Sequence, residues 1–224
     1  HSGTTLMLRI LANHRDLYGV NYESKAFQGN YAKISEILEW RKITRKTGKT
    51  RWIEKTPKHI QYIGRILSVF PKAKIIVMLR DGRDVTVSIR KRFGSSKLGV
   101  NRWIQDNKAG LEHKNDQRVS FVKLEELGQE PENIIKDICH QLEIDYYPEL
   151  LDYQNTTFKF DNQEPQKTAK REGADHIKNR VWQVNQPISK NTSKWKEQAN
   201  PEELKIFEKN QLFREVMKSL KYLR

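Results

Sequence analysis

KIIVMLRDGRD, residues Lys74 to Asp84, decides how the chain is read: five consecutive apolar residues, Ile75 to Leu79, stop abruptly at Arg-Asp-Gly-Arg-Asp. A run that is apolar at every position suits a strand covered on both faces, as parallel strands are, and the charged turn suits the carboxyl edge of such a sheet. Downstream, Val85, Ile89 and Phe93 recur at helical spacing and line one face of a helix. Strand, polar turn and helix make half of a βαβ unit.

The pattern repeats outward. RVSFVKLEEL, Arg118 to Leu127, reads as a second short strand with a polar exit, and Pro131 to Leu142 as an amphipathic helix carrying Ile134, Ile135, Ile138, Cys139 and Leu142. Asn200-Pro201-Glu202-Glu203 supplies an N-cap, a proline at the first helical position and a capping-box glutamate, with Leu204, Phe207, Leu212 and Val216 continuing that helix. Upstream, Ile63, Ile66, Leu67 and Phe70 keep helical spacing, and Ile34, Ile37 and Leu38 mark a shorter helix. Leu6, Ile10 and Leu11 share one face of a helix over Thr4 to Asn13, entered through Ser2-Gly3. Between Tyr153 and Ser193 the pattern weakens to loop with short helices. Alternating strands and helices predict an α/β fold, three layers (α/β/α) around a central, mainly parallel sheet of the P-loop NTPase-like kind. No linker rich in Gly, Ser or Pro divides the 224 residues, so 1–224 reads as one domain.

Net charge is +14, from 42 Lys+Arg against 28 Asp+Glu, which favours anionic partners without choosing among them. The one cysteine, Cys139, excludes an internal disulfide and suits a reducing compartment. A cytoplasmic location is expected, or the Golgi lumen if an anchor lies upstream. The longest apolar run, Ile75 to Leu79, is far too short to span a bilayer.

HSGTT, residues 1–5, joins a glycine that lets backbone approach a ligand to two hydroxyls beside the free N–H groups of a helix start, the parts of an anion cradle. Thr4 stands where a Walker loop has its lysine, which counts against a triphosphate ligand. From these five residues alone, an anion site and an ordinary Ser/Gly turn stand level.

Taken with five further pieces in order, the opening becomes specific. They are EKTPKHI (54–60), RDGRDVTVS (80–88), Trp103 before Gly110, VSFVKLEEL (119–127) and ISKNTSKW (188–195). Over nearly the whole chain this resembles the PAPS-dependent sulfotransferases, especially the branch of tyrosylprotein sulfotransferases and bacterial relatives. The resemblance implies PAPS as sulfuryl donor and PAP as product. It assigns the 5′-phosphosulfate to Ser2, Gly3, Thr4 and Thr5, and the 3′-phosphate to Arg80, Ser88 and Arg92. Ser88 and Arg92 are i,i+4 on the expected helix while Arg80 ends the strand, so three groups could converge on one dianion.

Sulfuryl transfer needs a base, positive groups for developing charge and in-line positioning, and no metal is required. The resemblance makes Glu23 the base, with Glu54 and His59 as rivals, and puts Lys55 and Lys194 near the phosphosulfate. Glu54 suits orientation of Lys55, and His14 suits a helix cap. His1 stands where the family generally has Lys or Arg. A loop of this kind follows a buried strand, which is expected upstream of residue 1. The acceptor is expected to be a hydroxyl or an amine. Six Lys/Arg lie within the eleven residues Arg41 to Arg51, which would attract an acidic polysaccharide or peptide or form a solvated basic loop. The competing readings are a P-loop small-molecule kinase and a non-enzymatic basic nucleic-acid module. The latter lacks interleaved aromatics and a recognised motif, so no specific nucleic acid is expected.

Overall fold

The computed structural model describes residues 3–29, 32–162, 186–188 and 193–223. The chain divides into two compact units, one of His1–Gly3, Ile66–Gln129 and Ser189–Arg224, the other of Thr4–Arg65 and Glu130–Ile188.

The second unit begins with α1 (Thr4–Ala12), followed by β1 (Leu17–Gly19), α2 (Ile34–Lys46), β2 (Arg51–Ile53) and a 3-10 helix at Pro57–Tyr62. It resumes with α7 (Pro131–Leu142) and 3-10 helices at Pro148–Asn155 and Phe160–Asn162. β1 and β2 pair in parallel with Leu17 opposite Arg51 and Gly19 opposite Ile53. Leu8, Ile10 and Leu11 of α1, Ile37 and Trp40 of α2 and Ile135, Ile138 and Cys139 of α7 are buried. The α7 face is where the periodicity placed it, whereas Ile34 and Leu38 of α2 are exposed and Trp40 takes their place in the core. Arg9 is buried with them and donates to the carbonyls of Tyr153 and Thr156 and, at 2.8 Å, to Thr156 Oγ1. These acceptors offset its desolvation, which lowers its pKa from the usual arginine value.

α3 (Ile63–Val69) carries the chain into the other unit, where β3 (Ile75–Leu79) and β4 (Val119–Lys123) pair in parallel from Ile75 opposite Val119 to Leu79 opposite Lys123. Around them run α4 (Gly82–Phe93), α5 (Ser96–Leu111), α6 (Leu124–Gln129), α8 (Trp195–Gln198), α9 (Pro201–Lys209) and α10 (Gln211–Ser219). α4 and α5 pack closely at Gly99, where a Cβ would stand 2.9 Å from Thr86 Cα. The parallel α/β character is as expected, and the described strands form two pairs.

Several local expectations are corrected. The helix after the capping box ends at Asn210, whose side chain accepts from Phe213 N–H and starts a new helix. Phe213, Val216 and Met217 are therefore buried, while Leu204 and Leu212 are exposed. Phe93 ends α4 exposed, because Gly94 at φ 75 terminates the helix beside it. The basic stretch is not a loop: Arg41, Lys42, Arg45 and Lys46 form the exposed last turns of α2. Lys49 donates to His14 O at 3.0 Å, and Arg51 donates to the carbonyls of Leu142 and Glu143 at the end of α7. All six cations but Lys49 are exposed, and Lys49 and Arg51 are tied to backbone carbonyls.

Candidate active site

Two groups of candidate residues emerge, one in each unit. In the unit of β1 and β2, parallel pairing brings both strand exits to the same edge. Val20 N–H extends the ladder to Ile53 O at 2.8 Å, and Glu23 and Lys55 follow a few residues beyond. Lys55 Nζ donates to Glu23 Oε1 at 2.7 Å. The lysine side chain is 7% exposed and the carboxylate 30%, and the ammonium also lies 5.1 Å from the centre of the Phe160 ring.

Beside this pair lies a network centred on Glu54. Its Oε1 accepts from Ser24 Oγ at 3.1 Å and from Thr56 Oγ1, and its Oε2 pairs with His59 Nδ1 at 3.0 Å. Thr56 Oγ1 also reaches Ser24 O at 3.1 Å. Ser24 follows Glu23 and Thr56 follows Lys55, so Glu54 braces the backbone of both candidate residues. The bonds account for the carboxylate, which suits Glu54 to orientation. His59, the other rival, is buried against Phe27 and held by Glu54. Tyr22, next to Glu23, accepts from Trp40 Nε1 at 2.9 Å, and burial raises its phenol pKa.

His14 is fully buried. Asp16 N–H donates to its Nδ1 at 3.0 Å, so its Nε2 carries the proton that meets Asp145 O at 2.8 Å. It is a structural link following α1.

In the unit of β3 and β4, Arg80 follows the last residue of β3, half-buried, and Ser88 and Arg92 lie one turn apart on α4. Asp81 caps α4 by accepting from Arg83 N–H at 2.9 Å, and its own N–H donates to Glu125 Oε1 at 2.9 Å. Tyr222 OH donates to Glu125 Oε2 at 2.9 Å, and burial raises the Tyr222 pKa further from its ordinary value. Gly82 is required by space: a Cβ would stand 2.7 Å from Phe213 and 2.8 Å from Trp103. Trp103 Nε1 donates to Arg80 O at 3.0 Å, which explains a tryptophan at that point of the sequence. Asp84, fully buried, accepts from Ser193 N at 2.9 Å and Trp195 N at 2.8 Å, so the turn bearing Lys194 is tied to the start of α4. Arg83 stacks on Trp195, 4.0 Å from the ring centre.

Gly3 turns the chain into α1 at φ +83, and a Cβ there would stand 2.6 Å from Leu124 Cδ1. Thr4 and Thr5 are the first two residues of the helix. His1 and Ser2 lie outside the described residues. The structure thus brings Glu23 to Lys55 and the Lys194 turn to Asp84. Asp84 itself was missed. Its distance of three residues from Asp81 resembles a capping box, which hides a carboxylate whose partners are 109 and 111 residues away.

A model of the Sulfotransferase family matches residues 21–149, more than half of the chain and the part that carries Glu23, Lys55, Arg80, Ser88 and Arg92. An uncharacterized protein of Aquifex aeolicus (strain VF5) is 28% identical over 196 residues, 69% of this chain and 26% of that relative. The chain therefore spans about a quarter of that relative's length. Among solved structures, the sulfotransferase domain of the curacin biosynthetic pathway is similar with a TM-score of 0.68 at 16% identity, over 99% of this chain and 94% of that one. The sulfotransferase domain of the Synechococcus PCC 7002 olefin synthase gives 0.65 at 18%, over 100% and 92%. Mouse sulfotransferase SULT7A1, solved in complex with PAP, gives 0.63 at 18%, over 99% and 82%. At these identities the likeness is one of fold.

Proposed function

We propose that this chain, which belongs to the sulfotransferase family, transfers the sulfuryl group of PAPS to the hydroxyl or amine of an acceptor and releases PAP. The observation that carries the reading is the 2.7 Å pair of Lys55 and Glu23, a carboxylate open to solvent beside a held cation. PAPS supplies an activated sulfuryl group with a good phosphate leaving group. Glu23 takes the acceptor proton as the acceptor oxygen or nitrogen forms its bond to sulfur and the sulfur–oxygen bond to the phosphate breaks. Lys55 and Lys194 offset the negative charge that builds on the transferring group and the departing phosphate. Gly3, Thr4 and Thr5, with Ser2 and His1, form the cradle for the 5′ end, and Arg80, Ser88 and Arg92 hold the 3′-phosphate.

These residues suit such a donor by their chemistry. Gly3 holds a left-handed backbone immediately before a helix start, and Arg80 and Arg92 offer guanidinium forks to a dianion. The exposed Arg41, Lys42, Arg45 and Lys46 add a field that favours an acidic polysaccharide or peptide as acceptor.

Calorimetry with PAP, with ATP and Mg²⁺ as the comparison ligand, tests the donor. Labelled PAPS offered with tyrosyl peptides, polysaccharides and small alcohols then tests transfer. Saturable PAP binding that survives moderate salt is expected, and no PAP binding, or preference for ATP and Mg²⁺, overturns the reading.

A further inference from the structure

We propose that Asp84 is a positioning residue that ties the nucleotide-binding Arg80 to the turn carrying Lys194. The inference rests on the donor-binding roles proposed above. An aspartate in the first turn of a helix ordinarily satisfies N–H groups of that same turn. In α4 that work is done by Asp81, and Asp84 turns elsewhere. Its carboxylate is fully buried, where an unpaired charge is costly. It is met by Ser193 N–H on one oxygen and Trp195 N–H on the other, and Arg80 Nη2 lies 3.7 Å from the oxygen shared with Ser193. One carboxylate therefore faces the guanidinium proposed for the 3′-phosphate and brackets Lys194 from both sides.

A second feature of the turn supports the same role. Ser193 sits at φ 64, left-handed backbone that a residue with a Cβ adopts only when surrounding contacts impose it. Its bond to Asp84 is such a contact. The Arg83 guanidinium stacked on Trp195 adds a second clamp on the carboxyl side of Lys194. Lys194 itself is exposed, so its position is set through its neighbours. Asp84 thus passes the geometry of the Arg80 turn to Lys194 without touching the donor.

The test is a double-mutant cycle read by PAP calorimetry on the full chain, with melting temperatures as the check on folding. K194A is expected to weaken PAP binding about fivefold in the unmodified chain, and less than about twofold further once Asp84→Asn has released the turn. Ser193→Val gives a second arm with no charge change near Arg80. A β-branched residue disfavours φ 64, so S193V should lower PAP affinity by about the same factor as K194A and make K194A nearly silent. Ser193→Gly, which accepts that backbone freely, should bind PAP within about twofold of the unmodified chain. Additive losses in both backgrounds overturn the positioning role, as does a K194A variant that binds PAP normally. If D84N does not fold, the S193V arm decides. An unmodified chain that fails to bind PAP overturns the donor reading itself, and this inference falls with it.

Discussion

Lys55 Nζ donates a 2.7 Å hydrogen bond to Glu23 Oε1, joining the residues that follow two adjacent parallel strands. The lysine is nearly enclosed and the carboxylate is about a third exposed, so the cation is the fixed member and the carboxylate the one open to an acceptor. Glu23→Gln keeps the shape and loses the ability to take a proton. Turnover should fall by about 10²–10⁴, the usual worth of a positioned base, while PAP affinity stays within about twofold. Transfer assays and calorimetry on the same preparation check this. An E23Q enzyme of ordinary turnover removes Glu23 from the base role.

Glu54 should behave in the opposite way. Its carboxylate is the shared acceptor for Ser24, Thr56 and His59, and truncation would leave those buried partners without it. Glu54→Ala is expected to lower stability by about 2–4 kcal/mol, seen as a fall of several degrees in Tm, and to weaken PAP binding and turnover together. Glu23→Gln keeps an oxygen in reach of Lys55 Nζ and should lower Tm less than E54A does. A stable E54A variant that binds PAP normally but does not turn over would show Glu54 to be the base instead.

What the sequence made visible follows from periodicity. Ile75 to Leu79 is apolar throughout and α7 keeps one clean face, so β3, α4 and α7 could be placed from spacing alone. β1 and β2 are three residues each, too short to show alternation, and they are the strands that place Glu23 and Lys55. Those two residues were named by resemblance. α5 went unread because small residues such as Ser96, Gly99 and Gly110 occupy much of its buried face, where it meets α4 closely. The break at Asn210 hid inside a continuous apolar rhythm, since Phe207 and Phe213 stack across it at 5.5 Å. The fixing of Lys194 depends on two backbone N–H groups meeting a distant carboxylate, which leaves no mark on residue order.

Gly3 has little conformational freedom where it leads into α1. Its φ of +83 disfavours any side chain, and a Cβ would press within 2.6 Å of Leu124. Gly3→Ala should cost about 1–3 kcal/mol of stability and weaken PAP about tenfold, because the cradle must shift to relieve the clash. G3A combined with Leu124→Ala removes the clash and keeps the backbone strain, so it should recover part of the loss in Tm. A G3A variant that melts and binds PAP like the unmodified chain would contradict this account of the loop.

The unit of α1 and α7 should be sensitive to alkali. Burial pushes the Cys139 thiol up from 9.0 to about 11 and the Tyr153 phenol from 10.0 to about 12. In the unfolded chain both groups ionise at their ordinary values, so over these intervals the unfolded state binds fewer protons and stability falls as pH rises. The contribution is intact below about pH 9, starts to decline there through Cys139, and declines further through Tyr153 above about pH 10. Each group withdraws about 2–3 kcal/mol over its full interval. Tm should hold steady from pH 7 to 8.5 and drop by several degrees at pH 10.5. Cys139→Ala creates a small cavity but should flatten the first part of the decline, and Tyr153→Phe the second. The buried thiol should also resist a thiol reagent at pH 8 until denaturant is added. Rapid labelling of the native chain, or a C139A variant whose Tm declines with pH as steeply as that of the unmodified chain, would show that the thiol is not held in the interior as the packing of α7 requires.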